Sequence, residues 1–149
     1  MLRYAFSVQV PFMGAPAVLG QPGIRCVGLY WPEQLRGLVL IADERERNLG
    51  ASATNAMSAV LAQVARQAPE GFGLAHCAVV EIDSMGSFDL VQVQWGQGGQ
   101  VESWEFAPLL HAPEPARSLA AFQARFGVAA DAALTELRVQ GFALEASKD

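Results

Sequence analysis

The chain has 149 residues, a formal charge of −5 and a hydrophobic fraction of 52%, which includes 25 alanines. This composition excludes an acidic disordered tail and a polar linker, and the length favours a single domain over residues 1–149. Nine arginines and one lysine are spread along the chain. That distribution argues against nucleic-acid binding, which needs clustered basic side chains.

The hydrophobic residues are too dispersed to form a membrane span. The longest strongly apolar run has five residues, from Leu38 to Ala42, far fewer than a bilayer requires. No apolar stretch of signal-peptide length precedes Pro11. We therefore expect a soluble cytoplasmic protein with no membrane contact, in which Cys26 and Cys77 are buried, reduced thiols.

The first third of the chain predicts three strands. Residues 3–10 alternate apolar and polar side chains, residues 24–31 resume strand character, and residues 38–43 form a short apolar run typical of a more central strand. Residues 11–23 contain three prolines and three glycines, so we expect a long surface loop there.

From Ser52 onward the apolar positions recur every three and four residues, which predicts a helix. Ser52 or Thr54 can cap its start, because a hydroxyl oxygen accepts from the unpaired N–H groups of the first turn. Pro69 ends it, since proline cannot continue the hydrogen-bond pattern. This helix separates the three leading strands from those that follow.

Three further strands are predicted over residues 75–82, 88–95 and 101–106. Short turns join them, so an antiparallel meander with one apolar face and one partly wet face is the economical interpretation. Two helices follow. The first spans residues 116–126 and stops at Gly127, and the second is capped by Asp131 and ends at Gly141.

These elements predict an α+β fold. We expect a mostly antiparallel sheet of about six strands, with one central helix and two C-terminal helices packed on one face. The central strand–helix–strand passage would make its two flanking strands parallel by a right-handed crossover, and the sheet would then be mixed.

The entrance to the central helix is a candidate ligand site. Small residues and the side chains of Ser52, Thr54 and Asn55 lie where backbone N–H groups carry a partial positive charge, and Arg45 and Arg47 are close in sequence. This combination can hold a carboxylate or phosphate. The alternative is an ordinary capped helix that follows a solvated charged bend.

Catalytic and metal-binding patterns are weak in this sequence. His76 and Cys77 are neighbours on a predicted strand and point to opposite faces, so they cannot readily chelate one ion. A mixed site that adds His111, Glu81 and Asp83 is conceivable, but the chain has two histidines and no paired spacing such as His-x-x-x-His. Nothing local lowers the pKa of the Cys77 thiol enough to make it a nucleophile.

No strained Gly-x-Ser-x-Gly elbow is present. Glu81, Asp83 and Asp89 flank a predicted hairpin and could act as an acid–base pair, but such carboxylates usually face solvent. We therefore predict no catalytic residues, no metal and no cofactor, and a role other than catalysis.

Three tryptophans near strand ends are a candidate partner surface. Trp31 ends the second strand, Trp95 ends the fifth, and Trp104 lies in the sixth. Tryptophan anchors many interfaces, and Gln92 and Gln94 could supply a polar surround, together with Glu102 and Glu105. The alternative is that these rings pack over a sheet edge or beneath a helix.

Residues 50–56 (GASATNA), the alanine-rich helix after them and residues 88–91 (FDLV) resemble short uncharacterised proteins encoded on plasmids and integrative elements of proteobacteria. The resemblance brings no activity or site residue with it. It implies a small cytoplasmic accessory protein of a mobile element, a class rich in inhibitors and regulators that bind host proteins.

Three functions remain open at this point. The first is a protein-binding accessory, inhibitor or immunity-like factor that uses Trp31, Gln92, Gln94, Trp95 and Trp104. The second is an enzyme or anionic-ligand domain centred on the helix entrance. The third is a structural subunit that forms a homodimer through an exposed strand.

Overall fold

The computed structural model describes residues 4–10, 24–43, 51–82, 88–107 and 115–139, with the side chains of residues 6–7, 24–42, 57–82, 88–105 and 119–139. Six strands form one sheet in sequence order. The strands are β1 (Tyr4–Val10), β2 (Ile24–Trp31), β3 (Arg36–Asp43), β4 (Cys77–Ile82), β5 (Phe88–Trp95) and β6 (Val101–Ala107). The predicted fold class and the order of strands and helices are confirmed.

The sheet is two antiparallel meanders joined by one parallel pair. β1, β2 and β3 pair antiparallel, as do β4, β5 and β6. β3 and β4 run parallel and are linked through the helix α1 (Ala51–Gln67). A parallel pair requires such a crossover, because a hairpin can join only antiparallel strands.

Helices cover both faces of the sheet. On the α1 face, Met57, Val60, Leu61 and Val64 of α1 pack against alternate strand residues. On the opposite face, α2 (Pro115–Phe126) and α3 (Val128–Val139) pack against the remaining alternate residues. We expected helices on one face and a partly wet second face. Instead, β2, β3 and β4 bury apolar side chains on both faces, and Glu81 of β4 is the buried polar residue among those described.

The two C-terminal helices meet at a glycine. Gly127 has a positive φ of 56°, a conformation that glycine adopts without strain, and it ends α2 as predicted. α3 begins at Val128, so Asp131 lies in its first turn rather than at its cap. There the Asp131 side chain accepts a hydrogen bond from Gln123 of α2. The predicted stop at Gly141 lies outside the described residues.

The topology gives the sheet two distinct ends. We call one the tryptophan end: β2 and β5 finish there, and β1, β3, β4 and β6 begin there. At the opposite end β3 and β4 finish. Because α1 returns the chain from the end of β3 to the start of β4, its N-terminus belongs to that opposite end.

Candidate functional site

The sheet forks at the tryptophan end. β4 pairs with β3 along its whole length, and β5 pairs with β6 from Leu90 to Trp95. The ladder between β4 and β5 is shorter and reaches only from Ile82↔Phe88 to Val79↔Val91. Residues 77–78 of β4 and 92–95 of β5 therefore lie outside it, and we call this divergence the fork.

A cleft of about 640 Å³ occupies the fork, and we call it the fork cleft. Val79 and Val91, the last pair of the ladder, lie at its base. Residues 77–78 form one wall and residues 92–95 form the other, with residues 103–105 of β6 beside them. Arg125, in the last turn of α2, completes the lining.

The cleft is lined by side chains from both faces of the sheet. Trp95 and Trp104 are half-buried and pack at the edge of the α1 cluster. Gln92 and Gln94 point to the other face and are exposed, because successive side chains on a strand alternate. Glu105, opposite Gln92 in register, is exposed as well. The fork cleft therefore has tryptophan side chains on one face of the sheet and glutamine side chains on the other.

Two local features position the tryptophans. The indole Nε1–H of Trp104 donates a hydrogen bond of 3.0 Å to the Ser58 hydroxyl, which ties β6 to α1. At Trp95 the pairing with β6 shifts by one residue, since Trp95 faces Val101 while Gln94 faces Ser103. Such a bulge re-aims the side chains beside it. Nothing in the sequence pattern predicted this shift.

Cys77 lines the fork cleft in surroundings that disfavour its thiolate form. Its thiol donates to the backbone carbonyl of Gly73 at 3.4 Å, and burial raises the pKa of Cys77 to about 12. Gly37 of β3 lies opposite Cys77 in register. A Cβ atom added to Gly37 would lie 2.5 Å from the Cys77 sulfur, so the glycine leaves room for the thiol. Cys26 is fully buried, and burial raises its pKa further. Both cysteines are free, and Cys77 is half-buried rather than fully buried as expected.

The candidate metal ligands among the described residues do not converge on one site. His76 is exposed at the end of a 3₁₀ turn that precedes β4, so it is not a strand neighbour of Cys77 as predicted. Within the described ranges, no group of three or more His, Cys, Asp or Glu side chains could hold a metal ion. His111 and Asp83 lie outside these ranges.

The hairpin carboxylates differ from the expectation that they face solvent. Glu81 is 3% exposed and lies on the α1 face of β4, and Asp89 pairs with it in register on β5. Position 81 shares its face of β4 with Val79, which belongs to the α1 cluster, whereas the sequence pattern suggested an edge. Both side chains have interaction partners.

Trp31 lies in a second groove and not in the fork cleft. It is half-buried at the end of β2, against the cluster formed by α2 and α3. This groove has a volume of about 410 Å³ and includes Gln34, Arg36 and residues 124–129. The three tryptophans therefore share one end of the sheet, but only two share a cleft.

The predicted anion site is separate from the tryptophans. Arg45 and Arg47 lie outside the described residues, as do the side chains of Ser52, Thr54 and Asn55 in the first turns of α1. The topology places the start of α1 at the end of the sheet opposite the tryptophans. An anion site at the helix entrance stays a prediction, and it would be distinct from the fork cleft.

In the described part of the chain, no helix has the length and apolar character needed to cross a bilayer. Comparison with known proteins finds no match to any family model, curated protein or solved structure. The chain's own geometry is therefore the basis for assigning a function.

Proposed function

We propose that this protein is a cytoplasmic protein-binding factor of the accessory, inhibitor or immunity type, and that it holds an extended segment of its partner in the fork cleft. One observation carries the proposal. Of the five residues that the sequence singled out for partner binding, Gln92, Gln94, Trp95 and Trp104 line this single cleft.

The chemistry of the cleft suits a polypeptide. Backbone groups of residues 92–95 that point toward β4 lie beyond the ladder of these two strands. An extended peptide can pair with such groups as an added strand, while pockets on alternate sides accept its side chains. The amides of Gln92 and Gln94 both donate and accept hydrogen bonds, as a peptide backbone requires.

Trp95 supplies an apolar anchor for such a segment. Its ring borders the fork cleft and also a recess of about 370 Å³ between residues 68–76 and the turn at residues 96–100. Half-buried tryptophans at the centre of an interface contribute much of the binding free energy in known complexes. The indole is therefore placed to contact a partner on more than one side.

Catalysis has less support from the same residues. The Cys77 thiol hydrogen-bonds to Gly73, and the cleft lining includes no histidine to act as its base. The charged cleft residues are Glu105 and Arg125, both exposed. A nucleophile paired with an oriented base, the minimum for covalent catalysis, is absent from the cleft lining that the structure describes.

The test is selection of a random dodecapeptide phage library on the purified protein, followed by affinity measurements on the enriched peptides by fluorescence polarisation. We expect Trp95→Ala to weaken binding by at least about tenfold. Glu105→Arg reverses an exposed cleft charge and is expected to change the affinity too, in the direction that the charge of the bound peptide sets. Glu136→Arg makes the same change on an exposed position of α3 and should leave affinity unchanged.

Two results would contradict the proposal. One is a set of enriched peptides whose affinity is indifferent to both cleft substitutions. The other is the absence of any peptide binding. Thermal stabilisation by phosphorylated metabolites or small carboxylates would then favour the ligand site at Arg45, Arg47, Ser52, Thr54 and Asn55.

A further inference from the structure

The groove beside Trp31 has a chemistry of its own, and we call it the arginine groove. Its apolar lining includes Trp31, Phe126 and Val128, and its charged lining residues are Arg36 and Arg125. No carboxylate is among the described residues that line it. On a chain whose net charge is −5, this is a local site of opposite sign.

Apolar side chains are exposed around this groove. Val128, in its lining, is 79% exposed, and Leu35, which lies between the lining residues Gln34 and Arg36, is 59% exposed. Among the described residues, Leu35, Val128 and one residue at the far end of α3 are the large hydrophobic side chains most exposed to solvent. Val128 is therefore an exposed apolar side chain of the groove lining, and Leu35 is adjacent in sequence to two lining residues. Exposed apolar surface marks interaction sites.

Leu35 is also conformationally unfavourable where it stands. Its φ of 49° places it in the left-handed region. Among the described residues other than glycine, Leu35 alone has a positive φ. Glycine or asparagine satisfies such a turn with less strain. Neither backbone preference nor burial explains a leucine here, whereas contact with a partner would.

The two arginines give the expected occupant its charge. Arg36 and Arg125 are exposed, and the Arg125 guanidinium carbon lies 5.8 Å from the centre of the Phe126 ring. That contact keeps the cation beside the apolar surface. A guanidinium at such a site pairs with a carboxylate in a directional, bidentate way.

We infer that the arginine groove binds an acidic, apolar segment of the partner protein, in which an Asp or Glu side chain follows or precedes a large apolar one. The carboxylate pairs with Arg36 and Arg125, and the apolar side chain packs among Trp31, Phe126 and Val128. This inference rests on the proposed function. Since Arg125 lines both the groove and the fork cleft, one partner segment can occupy both.

The test uses the same dodecapeptide library with charge-reversed protein. Peptides enriched on the native protein should be rich in Asp or Glu beside Leu, Ile or Phe, and Arg36→Glu should weaken their binding by at least about tenfold. Arg138→Glu reverses an exposed charge on α3 outside the groove and should have little effect. Selection on Arg36→Glu should shift the enriched peptides toward Lys and Arg.

Each other outcome has a distinct meaning. Peptides that depend on Trp95 and Glu105, but show no acidic preference and tolerate Arg36→Glu, would overturn this inference and leave the proposed function standing. Absence of any bound peptide would overturn both. A dimer in sedimentation equilibrium that Leu35→Asp dissociates would show a second copy of the chain in the groove, and would overturn the assignment to a partner.

Discussion

The ionisation of the Cys77 thiol depends on the residues around it. Cys77 borders a cleft and is only half-buried, which by position alone would suggest a reactive thiol. Its surroundings offer a backbone carbonyl as acceptor and no described cation beside the sulfur. Burial therefore dominates and favours the neutral form, the opposite of what nucleophilic cysteines need.

We predict that the folded protein reacts slowly with iodoacetamide at pH 7–8. Burial raises the pKa of Cys77 from 9.0 to about 12, so the reactive thiolate is scarce until the pH approaches that value. Cys26, which is inaccessible, should react more slowly still. Mass spectrometry of timed samples measures both rates, with guanidinium-unfolded protein as the control. Rapid labelling of Cys77 at neutral pH would contradict the prediction.

The same shift gives the sign of its effect on stability. A thiol whose pKa is raised in the folded state stabilises that state fully below the unfolded pKa. The contribution is lost as the pH rises from about 9 toward the folded value.

At the scale of elements, the fork follows from how far each strand pair extends. β5 pairs with β6 as far as Trp95, and β4 pairs with β3 from Cys77 onward. The ladder between β4 and β5, however, ends at the pair Val79 and Val91. Trp104 and Ser58 link β6 to α1 on one face of the sheet. On one side of the fork, pairing with β3 therefore holds β4 in place, and on the other side pairing with β6 holds β5.

This arrangement predicts uneven amide exchange along β5. Amides of residues 92–95 that point toward β4 should exchange with deuterium faster than the amides of residues 88–91, which lie within the β4–β5 ladder. Amides that point toward β6 serve as the internal control. Exchange measured by NMR should slow in the fast group when a cleft-binding peptide is added. Uniform protection along β5 would show that the fork is closed in solution.

At the scale of the whole molecule, one sheet carries two apolar cores. Leu61 of α1 is fully buried on one face, and Leu134 of α3 is 1% exposed on the other. The Phe88 and Phe122 rings, stacked with centroids 4.5 Å apart, add to the second core. Because every inner strand contributes to both cores, loss of either one should unfold the sheet as a whole.

We predict that Leu61→Ala and Leu134→Ala each lower the free energy of unfolding by about 2–5 kcal/mol. The two side chains lie on opposite faces, so the double variant should show approximately the sum. Val139→Ala, at a position that is 77% exposed, is the control and should change stability by less than about 0.5 kcal/mol. Urea denaturation followed by circular dichroism gives these values, and two separate transitions would contradict cooperative unfolding of the two cores.

Local pattern was enough to predict the strands and helices. Alternation and three–four spacing predicted the six strands and three α-helices of the described residues, with ends within a few residues of those observed. Element boundaries were harder to predict. The 3₁₀ turn at Leu74–His76, which contacts β3, shortens β4 at its start. α3 begins at Val128, three residues before the predicted cap at Asp131.

Part of the candidate site was also visible in the sequence. Trp95 and Trp104, with Gln92 and Gln94, were singled out because large aromatic rings beside amides at strand ends are unusual. Their convergence on one cleft, and the separation of Trp31 from them, could not be predicted. Strand alternation tells which face a side chain occupies but not where a ladder stops.

The sequence by itself determined which residues form strands and helices, and where the aromatic and amide side chains lie along the chain. These depend on neighbours a few positions apart. Only the tertiary structure decided that α1 covers one face while α2 and α3 cover the other, and that β4 and β5 part to open a cleft. Those outcomes depend on which distant apolar surfaces bury each other best, a competition among long-range contacts that no local pattern records.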